Sequence, residues 1–231
     1  MSMGIIVATK EELIETKKIM KDITENKYYN LNFFTGKISE KEITLVQCGI
    51  GKVNAARTAQ ILIDKFNIEK VINIGVAGGV TPKLIVKDIV IANKLVQYDF
   101  DISTLGNCEK GEIEDIGKFI KSDEKLVNLC KKILENEENR DFNYKIGTVA
   151  TADCFCAEPA KAKKIHIEFG AECVEMEGAA IAQVCFLDNI LFLVIRGISD
   201  TPNGNNEIDY HNFCKIAAKQ AARLLEKLCQ Q

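Results

Sequence analysis

The residues of this chain best placed to do proton chemistry are carboxylates that stand at the ends of short apolar runs. Glu12 comes shortly after GIIVA at 4–8, Glu175 and Glu177 close ECVEME at 172–177, and Asp200 directly follows LFLVIRGIS at 191–199. In open α/β sheets, ligands bind beyond the carboxyl ends of the strands. These four side chains are therefore candidates for one ligand site.

Two of these carboxylates also have a purely structural interpretation. Thr9-Lys10-Glu11-Glu12 matches a capping box, in which Glu12 bonds back to the start of its own helix. Glutamine can complete the same box, so Glu12→Gln is expected to leave stability almost unchanged. Ser199-Asp200 can be an Asx or N-cap turn before Thr201-Pro202. The local sequence leaves both interpretations open.

Glu175 and Glu177 are harder to explain as ordinary surface residues. Alternate residues of a strand share a face, so these carboxylates would repel each other unless cations or hydroxyl donors satisfy them. Arg196 interrupts a run that otherwise has the pattern of a buried strand, and an unpaired guanidinium there would be strongly unfavourable. We expect Arg196 to pair with Glu177 or Glu175.

Glycines and cysteines give weaker signals. Gly75-Val76-Ala77-Gly78-Gly79 is either a strand-to-helix turn or a place where a ligand approaches the backbone. It lacks both the G-K-S/T of a phosphate loop and the G-x-G-x-x-G of a dinucleotide site. Cys156 is better explained by packing than as a nucleophile, because no His or Asp partner is signalled nearby.

The elements that must position these residues follow an α/β pattern. Apolar, β-branched runs predict strands at 4–8, 43–48, 70–75, 88–92, 146–151, 172–177 and 191–199, and residues 28–48 predict an antiparallel pair. Three-and-four spacing predicts helices at 10–22, 52–66, 122–137, 158–168, 177–188 and 207–229. We expect a mixed sheet within one domain spanning 1–231.

Composition narrows the class of partner. A net charge of −3 and a pI near 5.6 disfavour nucleic acid and point to a small molecule. Nine scattered cysteines indicate a reducing, cytoplasmic compartment, and with only two histidines no four-ligand zinc set is visible. No apolar run approaches the roughly 20 residues that span a bilayer, so no membrane association is expected.

Six segments in one order resemble the methylthioadenosine/S-adenosylhomocysteine nucleosidases, a hydrolase branch of the purine nucleoside phosphorylase fold. They are GIIVATKEE at the N-terminus, CGIGKVNAA at 48–56, NIGVAGG at 73–79, ADCF at 152–155, VEMEGAAIA at 174–182 and IRGISD at 195–200, followed by FCKIAAKQAA at 213–222. The resemblance implies a three-layer α/β/α fold with a central mixed sheet, and a homodimer.

The resemblance also implies roles for individual residues. Glu12 would activate the attacking water and Asp200 would protonate the purine at N7, because adenine leaves poorly unless protonated. Glu177 would bind the ribose hydroxyls, with Met176 under the sugar and Phe155 stacked on adenine. The implied substrate-binding set is Gly78, Phe155, Cys156, Glu175, Met176, Glu177, Arg196 and Ser199, with no metal and no cofactor. Ile102, Leu105, Tyr210 and Phe213 resemble the family's alkylthio pocket.

The chain departs from the family pattern at three positions and leaves three rival functions. Val76 stands where the family carries a small hydroxyl residue, and Thr9 and Cys156 replace larger apolar residues. A phosphorylase on this fold, the first rival, would need Arg or His near the first loop, where the only cation is Lys10. The second rival is a nucleosidase for another purine nucleoside, such as a futalosine-type substrate, and the third is a non-catalytic purine-binding protein.

Overall fold

The computed structural model describes residues 2–137, 140–201 and 206–231, except for the side chains of 206–212. Its strands are β1 (Met3–Val7), β2 (Lys21–Tyr28), β3 (Leu31–Ile38), β4 (Lys41–Gln47), β5 (Lys70–Gly79), β6 (Ile89–Gln97), β7 (Ile120–Lys121), β8 (Tyr144–Thr151), β9 (Ala171–Glu175) and β10 (Leu191–Asp200). Its helices are α1 (Lys10–Lys17), α2 (Lys52–Phe66), α3 (Glu124–Glu135), α4 (Pro159–Phe169), α5 (Gly178–Leu187) and α6 (Asn206–Cys229).

One mixed sheet contains all these strands, in the order β10-β6-β8-β9-β5-β1-β4-β3-β2 with β7 beside β6. A further parallel pairing of β10 with β5 closes the strands β5, β9, β8, β6 and β10 into a ring. The mixed sheet confirms the sequence-based expectation, whereas the ring closure had no signal in the sequence. It brings the carboxyl ends of β5, β9 and β10 together.

Helices cover both faces of the sheet, which confirms the α/β/α architecture. Residues of α2 and α5 share one apolar core with one face, including Ala55, Leu62 and Ile181. Residues of α3 and α6 share a second core with the other face, including Leu134 and Leu225. Among the helices described, none is both long and apolar enough to cross a membrane.

The helix prediction for residues 18–22 is wrong. The helix predicted over 10–22 ends at Lys17, and residues 21–28 form β2, which lies at the edge of the sheet and pairs with β3. Seven of the eight β2 residues are exposed, so the strand has no buried face to produce an alternating apolar pattern. The predicted antiparallel pair is therefore a three-stranded meander of β2, β3 and β4.

Two other boundaries affect the site. The strand predicted to end at 75 continues to Gly79, so the glycine-rich segment is part of β5 rather than a turn. The strand predicted over 172–177 ends at Glu175, and Glu177 is instead the N-cap residue of α5, with φ −135° and ψ −39°. Glu175 and Glu177 therefore do not occupy alternate positions of one strand.

Candidate active site

A cavity of about 480 Å³ lies where β1, β5, β9 and β10 end. Its size is typical of sites for small organic ligands. Most of its lining is apolar, and its polar side chains are mainly carboxylates and hydroxyls. The residues that line it are Ala8, Thr9, Glu12, Ile50, Val76, Ala77, Gly78, Phe155, Ala157, Val174, Glu175, Met176, Glu177, Ser199 and Asp200.

Glu12 is buried in this wall and both of its oxygens accept backbone hydrogen bonds. Oε2 accepts from the N–H groups of Ala8 at 2.7 Å and Thr9 at 2.9 Å, which completes the predicted capping box with the Thr9 side chain. Oε1 accepts from the N–H of Val76 at 3.0 Å, across 64 residues of sequence. The capping and chemical interpretations are therefore compatible, because one carboxylate both caps α1 and faces the cavity.

Asp200 is the last residue of β10 and is 2% exposed. The hydroxyl of Ser199 donates to its Oδ1 at 2.8 Å and also lies 3.4 Å from the carbonyl oxygen of Ala77. Asp200 is thus in a strand, so the interpretation as an Asx or N-cap turn is wrong. Ser199 orients a carboxyl group that lines the cavity.

Two of the three glycines of β5, Gly75 and Gly78, leave room for the two carboxylates. A β-carbon at Gly75 would lie 2.7 Å from Glu12 Oε1, and one at Gly78 would lie 2.8 Å from Asp200 Oδ2. Both distances are shorter than any normal contact, so a side chain at either position would displace a carboxylate. Sequence reasoning assigned this motif to a turn or to ligand approach and missed the role of Gly75.

Glu175 and Arg196 form a buried ion pair behind the cavity wall. Arg196 Nη2 lies 2.5 Å from Glu175 Oε2 and also donates to the Asn73 side chain. The Thr151 hydroxyl donates to Glu175 Oε1, and Gly178 N–H donates to Oε2 at 2.6 Å. The expected pairing of Arg196 with one of the two glutamates is thus resolved in favour of Glu175.

This pair corrects one member of the expected binding set. Arg196 is 1% exposed and does not line the cavity, so it has no surface with which to contact a ligand there. Its effect on a ligand must pass through Glu175, which does line the cavity. Thr151 and Asn73 complete the network and were missed, because single polar residues inside apolar strands carry no motif.

Glu177 is held differently from Glu175. Its Oε1 accepts from Gly51 N–H at 2.9 Å, which ties the α5 N-terminus to the loop before α2. Burial, and secondarily the nearby Glu175 carboxylate, raise the pKa of Glu177 from 4.5 to about 8. Near neutral pH this carboxyl can therefore carry a proton.

The loop after β8 supplies the remaining residues expected at the site. The Phe155 ring is half exposed and lines the cavity together with Met176. Cys156 is buried and does not line the main cavity, but instead lines a side chamber of about 30 Å³. The chamber shares Phe155, Met176 and Asp200 with the main cavity.

The expected alkylthio pocket is not assembled by this chain within its described residues. Ile102, Leu105 and Phe213 do not line the cavity, and Leu105 is 82% exposed. The side chain of Tyr210 lies outside the described residues. Across 2–137, 140–201 and the described side chains of α6, no three His, Cys, Asp or Glu side chains are grouped so as to hold a metal ion.

Comparison with known proteins places this geometry in a family. The model of the phosphorylase superfamily matches residues 2–230. The chain belongs to the phosphorylase superfamily. It is 36% identical over 226 residues to a 5′-methylthioadenosine/S-adenosylhomocysteine nucleosidase of Staphylococcus haemolyticus, with 97% of each chain covered. It is 34% identical over 231 residues to an aminodeoxyfutalosine nucleosidase of Campylobacter jejuni, covering 100% and 99% of the two chains.

Solved structures of the superfamily agree with the fold. The nucleosidase of S. pneumoniae, determined with a transition-state inhibitor, superposes with a TM-score of 0.92 at 33% identity, covering 100% and 99% of the chains. This superfamily member is therefore a nucleosidase, an enzyme that cleaves N-glycosidic bonds, of the group that contains both kinds of relative. The two kinds of relative have similar sequence identities to this chain, so these identities do not distinguish between their substrates.

Proposed function

We propose that this nucleosidase hydrolyses the N-glycosidic bond of 5′-methylthioadenosine and S-adenosylhomocysteine, releasing adenine and the 5′-thio-ribose. One observation carries the proposal: Glu12, Glu177 and Asp200 line a single, mainly apolar cavity. An N-glycosidic hydrolase needs a base for water, a group for the sugar hydroxyls and an acid for the purine. Three carboxyl groups held in different ways can meet these three needs.

Glu12 has the geometry of the base. Its carboxylate is held at three points by backbone N–H groups, which fixes its position without using up every lone pair. Oε1 has one of these donors, so it can also accept a hydrogen bond from a water in the cavity. As Glu12 takes a proton from the water, the water oxygen would form the new bond to C1′, and the bond from C1′ to the purine nitrogen would break.

Asp200 and Phe155 would act on the base. An adenine stacked on the half-exposed Phe155 ring would present its N7 edge toward the β10 end, where Asp200 can give up a proton. The proton neutralises the negative charge that adenine would otherwise carry as it leaves. Ser199 would hold the Asp200 carboxyl in place throughout the reaction.

Glu177 would bind the ribose. Its Oε1 is engaged by Gly51, and its position beside Met176 on the cavity wall suits a carboxyl that accepts the 2′ and 3′ hydroxyls. Met176 would supply an apolar surface beneath the sugar.

Phosphorolysis is the less favoured reaction for this cavity. Among the described residues, no Lys, Arg or His lines it, and Arg196 is committed to Glu175 behind the wall. A phosphate dianion would meet Glu12, Glu177 and Asp200 with no compensating cation from that set. Water is the nucleophile that this lining accommodates.

A futalosine-type nucleoside is the second candidate substrate. The aminodeoxyfutalosine nucleosidase of C. jejuni is almost as similar as the methylthioadenosine enzymes and is matched over the whole chain. Both substrate types share a purine and a ribose, so the catalytic carboxylates do not distinguish them. The 5′ substituent differs between the two substrate types. We propose that a second copy of this chain completes the pocket for that substituent in a homodimer. The exposed Leu105, Val53 and Leu187 supply apolar surface for such contact.

The deciding experiment measures base and sugar products from methylthioadenosine, adenosylhomocysteine, aminodeoxyfutalosine and adenosine, in phosphate-free buffer with EDTA. We expect free 5′-methylthioribose and adenine, with methylthioadenosine cleaved more than tenfold better than adenosine in kcat/KM, since burying the apolar 5′ group contributes at least about 1.4 kcal/mol. A sugar 1-phosphate that appears only with added phosphate would overturn hydrolysis. Faster cleavage of aminodeoxyfutalosine would assign the second candidate.

An acid variant provides the control for that assay. Asp200→Asn keeps the shape of the side chain and an acceptor for Ser199 but cannot donate a proton, so turnover should fall roughly 10²–10⁴-fold. Binding of methylthioadenosine, followed by calorimetry, should persist. Turnover near that of the unaltered chain would remove Asp200 from its assigned role.

A further inference from the structure

Two cysteines form the part of the side chamber that is not shared with the main cavity. The chamber is lined by Gly78, Cys154, Phe155, Cys156, Val174, Glu175, Met176 and Asp200, and all but the cysteines also line the main cavity. Its volume of about 30 Å³ accommodates a group the size of a water molecule or a methyl group. Any group that fills the chamber therefore lies against the residues that we assign to adenine.

Cys154 has the polar surroundings of a reactive thiol. Lys161, from the first turn of α4, places its Nζ 3.1 Å from the Cys154 sulfur. The Tyr98 hydroxyl lies 3.2 Å from the same sulfur. An ammonium group can only donate, so the sulfur accepts from Lys161, and a positive charge lies against the atom that would act as the nucleophile.

Tyr98, the second partner of Cys154, also suits the sulfur as an acceptor. Burial, and next the hydrogen bond with Cys154, raise the pKa of Tyr98, so its hydroxyl keeps its proton and can donate it to the sulfur. The hydrogen bond with Cys154 also raises the pKa of Lys161, which keeps the ammonium charged. The Cys154 sulfur therefore accepts from Lys161 and can also accept from Tyr98.

The neighbouring thiols stand in different surroundings. Burial raises the pKa of Cys156, which favours its unreactive neutral form. Cys108, in the loop after the 3-10 turn at Ser103–Leu105, is partly buried like Cys154, but its sulfur lies near the carbonyl oxygens of Ile102 and Gly106. Carbonyl oxygens can only accept, so the Cys108 S–H donates where the Cys154 sulfur accepts, which makes Cys108 a matched reference.

We propose that Cys154 is a covalent modification site for small thiol-reactive sulfur electrophiles, and that its modification closes the base end of the nucleoside cavity. The Cys154 thiol gives its proton to solvent and its sulfur attacks the electrophilic sulfur, a new S–S bond forms, and the leaving group departs with the electron pair of the broken bond. A thiol reductant reverses the step by a second exchange, which releases the added group as its thiol. The proposal relies on the proposed function only in taking adenine as the competing ligand.

Methyl methanethiosulfonate tests this directly, because it transfers only a CH₃S group and releases methanesulfinate. Mass spectrometry of the intact enzyme and its peptides would follow labelling at each cysteine with time. We expect Cys154 to react about tenfold or more faster than Cys108, in step with loss of nucleosidase activity. Adenine should slow labelling of Cys154 but not of Cys108, and dithiothreitol should restore activity.

Variants separate the effect of the Lys161 charge on Cys154 from damage to the fold. Lys161→Met should slow labelling of Cys154 about tenfold while Cys108 reacts as before, and Lys161→Arg should recover most of the rate. Cys154→Ser should keep its own starting activity after treatment. Thermal melting of each variant checks that it is folded, and for an unfolded variant the comparison of Cys154 with Cys108 in the unaltered chain decides alone.

Three results would overturn the proposal: labelling of Cys154 no faster than that of Cys108, a first adduct on Cys156, or full labelling of Cys154 without loss of activity or adenine binding. If no nucleoside is cleaved at all, the proposed function fails. Labelling rates and adenine binding by calorimetry still decide this proposal in that case, because neither measurement needs turnover.

Discussion

Glu12 and Glu177 are buried carboxyl groups of the same cavity, but the protein holds them in opposite ways. Glu12 accepts three backbone N–H groups, from Ala8, Thr9 and Val76. Glu177 accepts one, from Gly51, and shares its surroundings with the Glu175 carboxylate. Directed N–H donors suit an anion, whereas burial beside a like charge favours a bound proton.

The Arg196 guanidinium near Glu177 does not change this difference between Glu12 and Glu177. Arg196 gives its short contact to Glu175, which also takes the Thr151 hydroxyl and two N–H groups. The hydrogen-bond donors at this end of the cavity therefore bind Glu175, whose carboxylate stabilises the cavity wall. The protein uses the same functional group as a base, as a structural anchor and as a proton-holding ligand group, according to the donors around it.

The largest expected effect comes from Glu12→Gln, which tests whether Glu12 is the catalytic base. Turnover should fall roughly 10²–10⁴-fold because an amide cannot accept the proton of water. Glu15→Gln is a matched control, since Glu15 is equally buried in α1 but pairs with Lys18 and does not line the cavity. Comparable activity of the two variants would return Glu12 to a capping role alone.

The structure also corrects the expectation that Glu12→Gln leaves stability unchanged. Both Glu12 oxygens accept N–H groups, so the amide NH₂ of glutamine would face either Val76 or the Ala8 and Thr9 donors. Leaving one buried donor without an acceptor costs about 1–3 kcal/mol. Urea unfolding would measure that loss.

Arg196→Met tests the structural role of the buried ion pair between Glu175 and Arg196. It leaves Glu175 buried without its cation, which should lower the free energy of unfolding by roughly 3–5 kcal/mol. Lys145→Met is the control, because it breaks a partly exposed pair with Glu172 and should cost about 1 kcal/mol or less. Equal losses in urea titrations would show that burial of the Arg196 pair has no special consequence.

The proton on Glu177 predicts a pH dependence of stability with a definite sign. Between pH 4.5 and 8 the folded carboxyl keeps a proton that the unfolded chain releases, so its contribution to stability falls as pH rises. Glu177→Gln keeps a carbonyl oxygen for Gly51 and cannot ionise. Its stability relative to the unaltered chain should therefore increase across that window, by on the order of a few kcal/mol, and level off above it.

The measurement is thermal or urea unfolding of both proteins at several pH values. Glu172→Gln, at a partly exposed pair outside the cavity, controls for a general effect of removing one carboxylate. A difference between the two chains that stays constant from pH 4.5 to 8 would contradict a proton on Glu177.

The smallest effect is expected at Val76, whose N–H binds Glu12 but whose side chain offers no hydrogen bond. Val76→Thr keeps the volume and adds a hydroxyl that can hold the attacking water. One such bond contributes about 0.5–1.5 kcal/mol, so kcat should rise by at most about tenfold. Val76→Ala, which changes volume without a hydroxyl, should give no rise, and steady-state kinetics on methylthioadenosine would compare all three.

Features that depend on near neighbours could be predicted from the amino-acid order. The Thr9–Glu12 capping box was predictable because its hydrogen bonds join residues within four positions of one another. Most strands and helices were predictable because burial on one or both faces produces a periodic pattern. The edge strand β2 was not, since its exposed residues leave no such pattern.

The connections within the site were settled only by the folded chain. Whether Arg196 pairs with Glu175 or Glu177, why Gly75 and Gly78 must lack side chains, and which thiol meets Lys161 and Tyr98 all depend on residues brought together by the sheet order. The closed ring of β5, β9, β8, β6 and β10 sets those distances. Local spacing cannot encode them, because most of the partners are far apart in the sequence and meet only when the strands pair.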